Sequence, residues 1–565
     1  MKKKGLNTIL KLISDLNLDG YIIPKNDNFF TEQVKHDRLK LITNFSGSAG
    51  LAIILLKKNY LFVDSRYTIQ ARLESGKFFQ IKKFHEKLPK DLLSNIVLGF
   101  DPNLFTHNQL SYLFGNKIKL KAIEENLIDQ IFKKKRTKEK PFYSLPTQVA
   151  GISYRKKISL LLRYLKNKKA DFILISAPEN VAWLLNIRGS DTPYSPLPNC
   201  NLILGKNKKF YLISEKYKTK KLLIERKLLF DQVIERNNFE NLINSLKGKK
   251  FIIDDKTLSV FNENIIKKKF LITSRIDPCY FFKSIKNSIE IKNMIQSHIT
   301  DGVALTKFLF WIKNLKNKNL TELSAEKKLE SFRKKSKKYL YPSFNTIAGT
   351  GSNGAIVHYR ATKKTNKKIK QKDLFLCDSG GQYKYGTTDV TRTICFSNQP
   401  KWIKNFFTLV LKGHIAVATS DIDKNNTGQK LDIHARKYLK EYKLDYGHGT
   451  GHGVGYFLNV HEGPQSISKF NRIKLKEGMI LSNEPGFYKE GKFGIRIENL
   501  VYVRKKNKKL FFENLTLAPI DIDLINYKLL NKKEKDYLLN YHLLVYSKIS
   551  KYLTHNERRW LIKNL

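Results

Sequence analysis

Three of the chain's 12 histidines fall within one short run, His448-Gly449-Thr450-Gly451-His452-Gly453-Val454-Gly455-Tyr456-Phe457-Leu458-Asn459-Val460-His461-Glu462. Imidazoles set among glycines suit metal binding or proton transfer, because glycine lets backbone approach closely and strands bend. His461-Glu462 is not a helical zinc motif, since Gln465 stands where its second histidine would be required. Scattered structural histidines are the plain alternative, so the case turns on the carboxylates.

Those carboxylates come from two expected hairpins. Segments 374–378 and 388–393 read as strands joined through Gly380-Gly381 and a turn near Gly386, with Asp378 and Asp389 as cross-strand neighbours. Alone, two acids on a hairpin are commonly just solvated. Segments 479–486 and 493–498 form the second hairpin, turned at 490–492, which lets Glu484 and Glu498 converge. Period-two alternation puts Arg496 and Glu498 on one face and Ile495 and Ile497 on the other. Four carboxylates packed together raise one another's pKa unless cations compensate them, and two divalent ions do so in full. The expected ligand set is Asp378, Asp389, His452, Glu484 and Glu498. One imidazole with four carboxylates favours a fairly hard ion such as Mn2+, with Zn2+ or Co2+ as alternatives.

The elements that must hold these residues lie in the last half of a 565-residue chain, too long for one core. Long helices are expected over 288–315 and 321–337, then a strand-rich region ending near residue 502, then helices rich in Tyr and Leu. The first 130 or so residues read as an α/β unit: a helix, the strand Tyr21-Ile22-Ile23, the turn Asn44-Phe45-Ser46-Gly47-Ser48, and strands at 51–56 and 60–63. A basic linker is expected at 133–140. A second unit repeats the plan, with a helix at 155–167, a strand at 172–175 and Asn186-Ile187-Arg188-Gly189-Ser190 before strands at 201–204 and 210–213. The matched Asn, Gly and Ser point to an internal duplication, although the same composition is common in turns.

Composition excludes several classes. A 41% hydrophobic fraction with only 30 Gly and 15 Pro is that of a folded chain. The net charge of +55 would attract phosphate-rich partners, but the lysines are spread along the chain without a stacking or recognition-helix pattern, so nucleic acid is not expected as a partner. Four cysteines with no C-x-x-C pair argue against a disulfide framework. The N-terminal stretch reads as an amphipathic helix rather than a signal peptide, and no apolar run is long enough to span a membrane. A cytoplasmic location is expected.

The ordered set Asp378, Asp389, His448 to His452, the Asn459-Val460-His461-Glu462-Gly463-Pro464 run, Asn483-Glu484-Pro485-Gly486 and Arg496-Ile497-Glu498-Asn499 resembles the Xaa-Pro aminopeptidase (aminopeptidase P) group of pita-bread metallopeptidases. Asn186 to Asp191, Asp301-Gly302-Val303-Ala304-Leu305 and Ile356-Val357-His358-Tyr359-Arg360 extend the likeness over nearly the whole chain. The implied fold is α/β and α+β multidomain. It places creatinase-like domains at 1–140 and 147–285, a pita-bread catalytic domain at 286–505 and a helical extension at 506–565.

Carried over by position, the resemblance gives Asp378 to one metal, Asp389 and Glu498 as bridging carboxylates, and His452 and Glu484 to the other metal. His358, His448 and His461 match catalytic histidines beside the metals, and Arg496 matches an arginine bracing the bridging acids. Two divalent metal ions per chain, a peptide substrate with Pro at position 2 and a homodimer are implied. Glu484 would move the proton, His461 would face the developing oxyanion, and His358 and His448 would contact the carbonyl side or the proline ring. The rivals are a prolidase or creatinase-like enzyme on the same fold, and an inactive binding module. The complete ligand set weighs against the creatinase-like enzyme and the module.

Overall fold

In the computed structural model, which describes residues 2–133, 139–315, 319–563 and 565, the chain divides into two units. One comprises Met1–Thr147 with Ile152–Tyr280, the other Gln148–Gly151 with Phe281–Leu565. Of the stretch expected as a basic linker, residues 134–138 lie outside the described residues.

The first unit contains two six-stranded sheets of one topology. The first runs in the order Gln80–Lys83, Asn59–Val63, Leu51–Leu55, Gly20–Pro24, Val97–Phe100, Lys119–Ala122. The second runs Val233–Ile234, Phe210–Ile213, Asn201–Gly205, Phe172–Ile175, Lys250–Ile253, Leu271–Ser274. In each, the first strand in sequence pairs antiparallel with one neighbour and parallel with the other. The central strands are buried and rich in Ile, Leu and Phe because helices cover the sheet, whereas edge strands such as Gln80–Lys83 and Lys119–Ala122 are partly exposed. Asn44 and Asn186 occupy equivalent places, each ending a helix in the left-handed conformation at φ 71° and 51°. Asparagine tolerates that region better than most residues, which gives the repeated turn a physical cause.

The second unit opens with the helix Ser288–Lys313, whose N-terminus is capped reciprocally by Asn287 and Glu290. Met294, Leu305, Phe308, Leu309 and Ile312 bury its inner face. Two three-stranded sheets follow, Ile347–Thr350 with Phe375–Ser379 and Val390–Ile394, and Tyr339–Pro342 with Gly381–Tyr383 and Gly386–Thr387. A five-stranded sheet runs Glu462–Ile467, Gly451–Gly453, Ile480–Asn483, Asn499–Lys506, Lys509–Asn514, and the tail carries the helices Lys532–Ile549 and His555–Ile562.

Both expected hairpins differ in detail from the structure. Phe375–Ser379 does pair antiparallel with Val390–Ile394, but Asp378 faces Thr391, and Asp389 precedes the partner strand. The intervening residues form their own hairpin in another sheet, so the two aspartates are diagonal rather than opposite. The second hairpin is two ladders. Ile480–Asn483 pairs with Asn499–Lys506, whereas Gly486–Lys489 pairs with Phe493–Arg496. Pro485 lacks an amide hydrogen and cannot continue the ladder, so Glu484 and Glu498 stand at the change of pairing.

Among the described residues no helix is long and apolar enough to cross a membrane. All four cysteines are free and buried.

Candidate metal centre

Asp389, Glu484 and Glu498 all sit where strands break, and these breaks release their side chains from ladder geometry into one place. Glu484 keeps its backbone tied by donating its N–H to Thr450 O at 2.8 Å, and Glu498 does the same to Thr391 O at 3.2 Å. Asp389, His452 and Glu498 bring ligand atoms within 4.8 Å of one another. His452 Nε2 lies 3.3 Å from Glu484 Oε1 and 3.5 Å from Asp389 Oδ2. Its Nδ1 is 2.8 Å from Gly453 O and must carry the proton it donates there, so Nε2 is the nitrogen that faces the carboxylates. Close approach of the His452 strand requires Gly451, where a Cβ would lie 1.9 Å from Ser482 O. Ser482 Oγ in turn accepts from His452 N and donates to Glu484 Oε1, both at 2.9 Å.

The electrostatics are those of a site short of positive charge. Burial, then Asp378 and Glu484 nearby, push the Asp389 carboxyl well above its ordinary range. Burial, then Asp389, Glu484 and Asp378, do the same to Glu498. Asp378 Oδ1 and Glu498 Oε1 are buried without a hydrogen-bond partner among the described residues. Orphaned carboxylate oxygens grouped around an imidazole nitrogen fit hard divalent cations.

Arg496 enters this cluster directly. It pairs with Asp378 Oδ2 at 2.6 Å and donates to Thr391 Oγ1 at 3.1 Å, and Thr391 donates to Glu498 Oε2 at 2.7 Å. It therefore reaches the expected bridging Glu498 only through Thr391.

His461 stands edge-on to His452, with ring centroids 4.2 Å apart. His358, half-buried, follows Val357, whose carbonyl accepts from Arg496 at 3.4 Å. His448 Nε2 is 2.8 Å from Tyr488 Oη, while its Nδ1 is 2.7 Å from Gly449 O. Arg496 donates to the same Tyr488 hydroxyl at 2.7 Å. Burial foremost, opposed by Arg496, pushes the Tyr488 phenol up to about 12, so it remains protonated and can donate to His448.

Contacts or electrostatics link Asp378, Asp389, His448, His452, His461, Glu484, Arg496 and Glu498 to one another, while His358 adjoins them through the backbone of Val357. Sequence reasoning missed Tyr488, Thr391 and Ser482. Tyr488 stands four residues after Glu484 at an even spacing, the signal that could have found it; Thr391 and Ser482 had none that distinguishes them from other strand residues.

This donor cluster could hold metal ions, and the family matches place the chain among metallopeptidases. Residues 292–505 match the family described as "Metallopeptidase family M24", and 508–565 match the "C-terminal region of peptidase_M24". Residues 6–131 and 133–290 each match a "Creatinase/Prolidase N-terminal domain". The chain belongs to metallopeptidase family M24. More narrowly, it is 35% identical to the "Probable Xaa-Pro aminopeptidase P" of Laccaria bicolor over 98% of this chain and 92% of that protein. It is 36% identical to the protein of that name from Paracoccidioides brasiliensis over 98% and 97%. The crystal structure of X-prolyl aminopeptidase from Caenorhabditis elegans, described as a cytosolic enzyme with a di-nuclear active site, superposes with a TM-score of 0.92 at 30% identity. It covers 100% of this chain and 99% of that one.

Proposed function

We propose that the chain is a dinuclear metal-dependent aminopeptidase that releases the N-terminal residue from peptides with proline in the second position. The observation that carries this reading is the cluster of four carboxylates, three of them buried, around the His452 Nε2, within a chain that resembles Xaa-Pro aminopeptidases from end to end.

Asp378, Asp389, His452, Glu484 and Glu498 would hold two divalent ions, with Mn2+ preferred on donor hardness. Bound ions supply Lewis acidity and bring the pKa of water toward neutrality. Glu484, fixed by Ser482, takes the proton from the attacking water and returns it to the leaving amine. His461 donates to the oxygen on which charge develops. His448, held through Tyr488, and His358 line the carbonyl and proline side. Arg496 fixes Asp378 and, through Thr391, Glu498.

Proline lacks an amide hydrogen and has a fixed φ, so an Xaa-Pro bond sits badly in clefts that bind substrate as a strand. A site that holds the substrate by its free α-amine and a proline-shaped wall answers both restrictions. The domain division given above from the sequence, a homodimer and a cytoplasmic location belong to the same reading. The two repeated sheets support the domain division, and the relative described as cytosolic supports the location.

The test is to incubate purified, Mn2+-loaded protein with the tripeptide Lys-Pro-Arg. Release of free lysine is the expected result, and hydrolysis of Lys-Pro in preference to the tripeptide would point to a prolidase instead.

A further inference from the structure

Glu462 follows His461 directly, yet its carboxylate is committed away from the donor cluster. It is buried, with a short hydrogen bond from Lys286 Nζ to Oε1 and Lys283 Nζ 3.6 Å from Oε2. The Lys286, Lys283 and Glu462 side chains are 0%, 2% and 3% exposed. Two buried ammonium groups on one carboxylate are costly to desolvate, and apolar residues of similar size would pack the same space more cheaply. Such an arrangement suggests a requirement for geometry rather than for stability.

The backbone of the same segment holds a second limb of the site. Lys286 N–H donates to Gly478 O at 3.0 Å, and Ile285 bridges to Met479. Gly478 has φ +88°, and a Cβ there would lie 2.5 Å from Lys286 O, so the contact is specific to glycine. From Gly478 the chain runs through the strand Ile480–Asn483 to Glu484. Residues 283–286 therefore grip one limb beside His461 and another that ends at Glu484.

We propose that Lys286, Lys283 and Glu462 are positioning residues that set the spacing of His461 against Glu484. The idea rests on the aminopeptidase reading above. Its test compares wild type, Lys286→Met and Glu462→Asp on Lys-Pro-Arg, with metal content and unfolding measured on the same samples. Glu462→Asp keeps the charge and so the fold, but withdraws the carboxylate by one methylene. A displacement of that size should lower kcat about ten- to a hundredfold. KM should stay within about threefold, because substrate binding itself is not removed, and metal content should match wild type. The idea is overturned if Glu462→Asp keeps wild-type kcat, or if the losses only track the unfolded fraction. Should Lys286→Met fail to fold, Glu462→Asp alone decides. A wild type that releases no lysine sinks the aminopeptidase reading, whereas an active wild type with unaffected variants sinks only this inference.

Discussion

Two largely buried charge clusters adjoin in the second unit through Thr388 and Asp389, and they solve the same electrostatic problem in opposite ways. In the first, Asp301 accepts from Arg333 Nε and Tyr383 Oη, both at 2.7 Å, and from Thr388 Oγ1 at 2.9 Å. Burial opposes its ionisation, but Arg333 and these hydrogen bonds hold its carboxyl below the usual range. The second, only one residue further along at Asp389, gathers four carboxylates, with Arg496 paired to Asp378, and two of its acids are pushed well above their range. Arg333 also donates to Ser379, the neighbour of Asp378, at 3.0 Å. The satisfied cluster thus fixes the backbone on which the unsatisfied one is mounted. Buried charge that is complete within the chain acts as framework, and buried charge left incomplete marks where outside cations belong.

The contrast gives four expected outcomes. The largest is in activity: Asp389→Asn or Glu498→Gln should lower kcat/KM on the order of a thousandfold, since Lewis-acid stabilisation is worth several kcal/mol. The same changes should leave metal-free stability unchanged or higher, because they relieve repulsion; peptide assays and denaturant unfolding in EDTA read both. Second, Arg333→Met should do the reverse. It strands Asp301 in the interior and should cost about 3–5 kcal/mol of unfolding free energy, seen as a lower denaturant midpoint, with metal binding retained below the transition.

Third, Tyr488→Phe removes the hydroxyl that joins His448 to Arg496 and should lower kcat about tenfold, the worth of one charge-assisted hydrogen bond. Steady-state kinetics check it.

The smallest effects are in pH dependence, and their signs differ between the clusters. Asp301 has a depressed folded pKa, so its contribution is present above the ordinary carboxylate value of about 4 and is lost as pH falls through the folded value. Asp389 and Glu498 have raised folded pKa values, so the metal-free protein holds protons that the unfolded chain releases. Their contribution is largest below about 4 and declines as pH rises toward the folded values. Arg333→Met and Asp389→Asn proteins compared by denaturant unfolding in EDTA across this range should separate the two slopes. Metal must displace the bound protons, so apparent metal affinity should strengthen with rising pH.

The expected ligands were legible in the sequence, and their supports were not. His452 stands between glycines and Glu484 before a proline, and four carboxylates expected in one place call for cations or bound protons to offset them. The hairpins were legible as strands but not in their pairing, because Pro485 and the inserted residues 380–389 redirect ladders through contacts distant in the chain. Asp301 and Arg333 belong to helices that look ordinary one at a time; only packing shows that they meet. Lys283, Lys286 and Glu462 were hidden for a further reason, since in a chain of net charge +55 two more lysines carry no signal.

Metal stoichiometry tests the account most directly. Protein stripped with EDTA, titrated with Mn2+ and freed of excess ion should retain two ions per chain, and Asp389→Asn and Glu498→Gln should retain fewer. A folded wild-type chain that binds no divalent ion at neutral pH would contradict the reading of the acidic cluster, and the proposed chemistry with it.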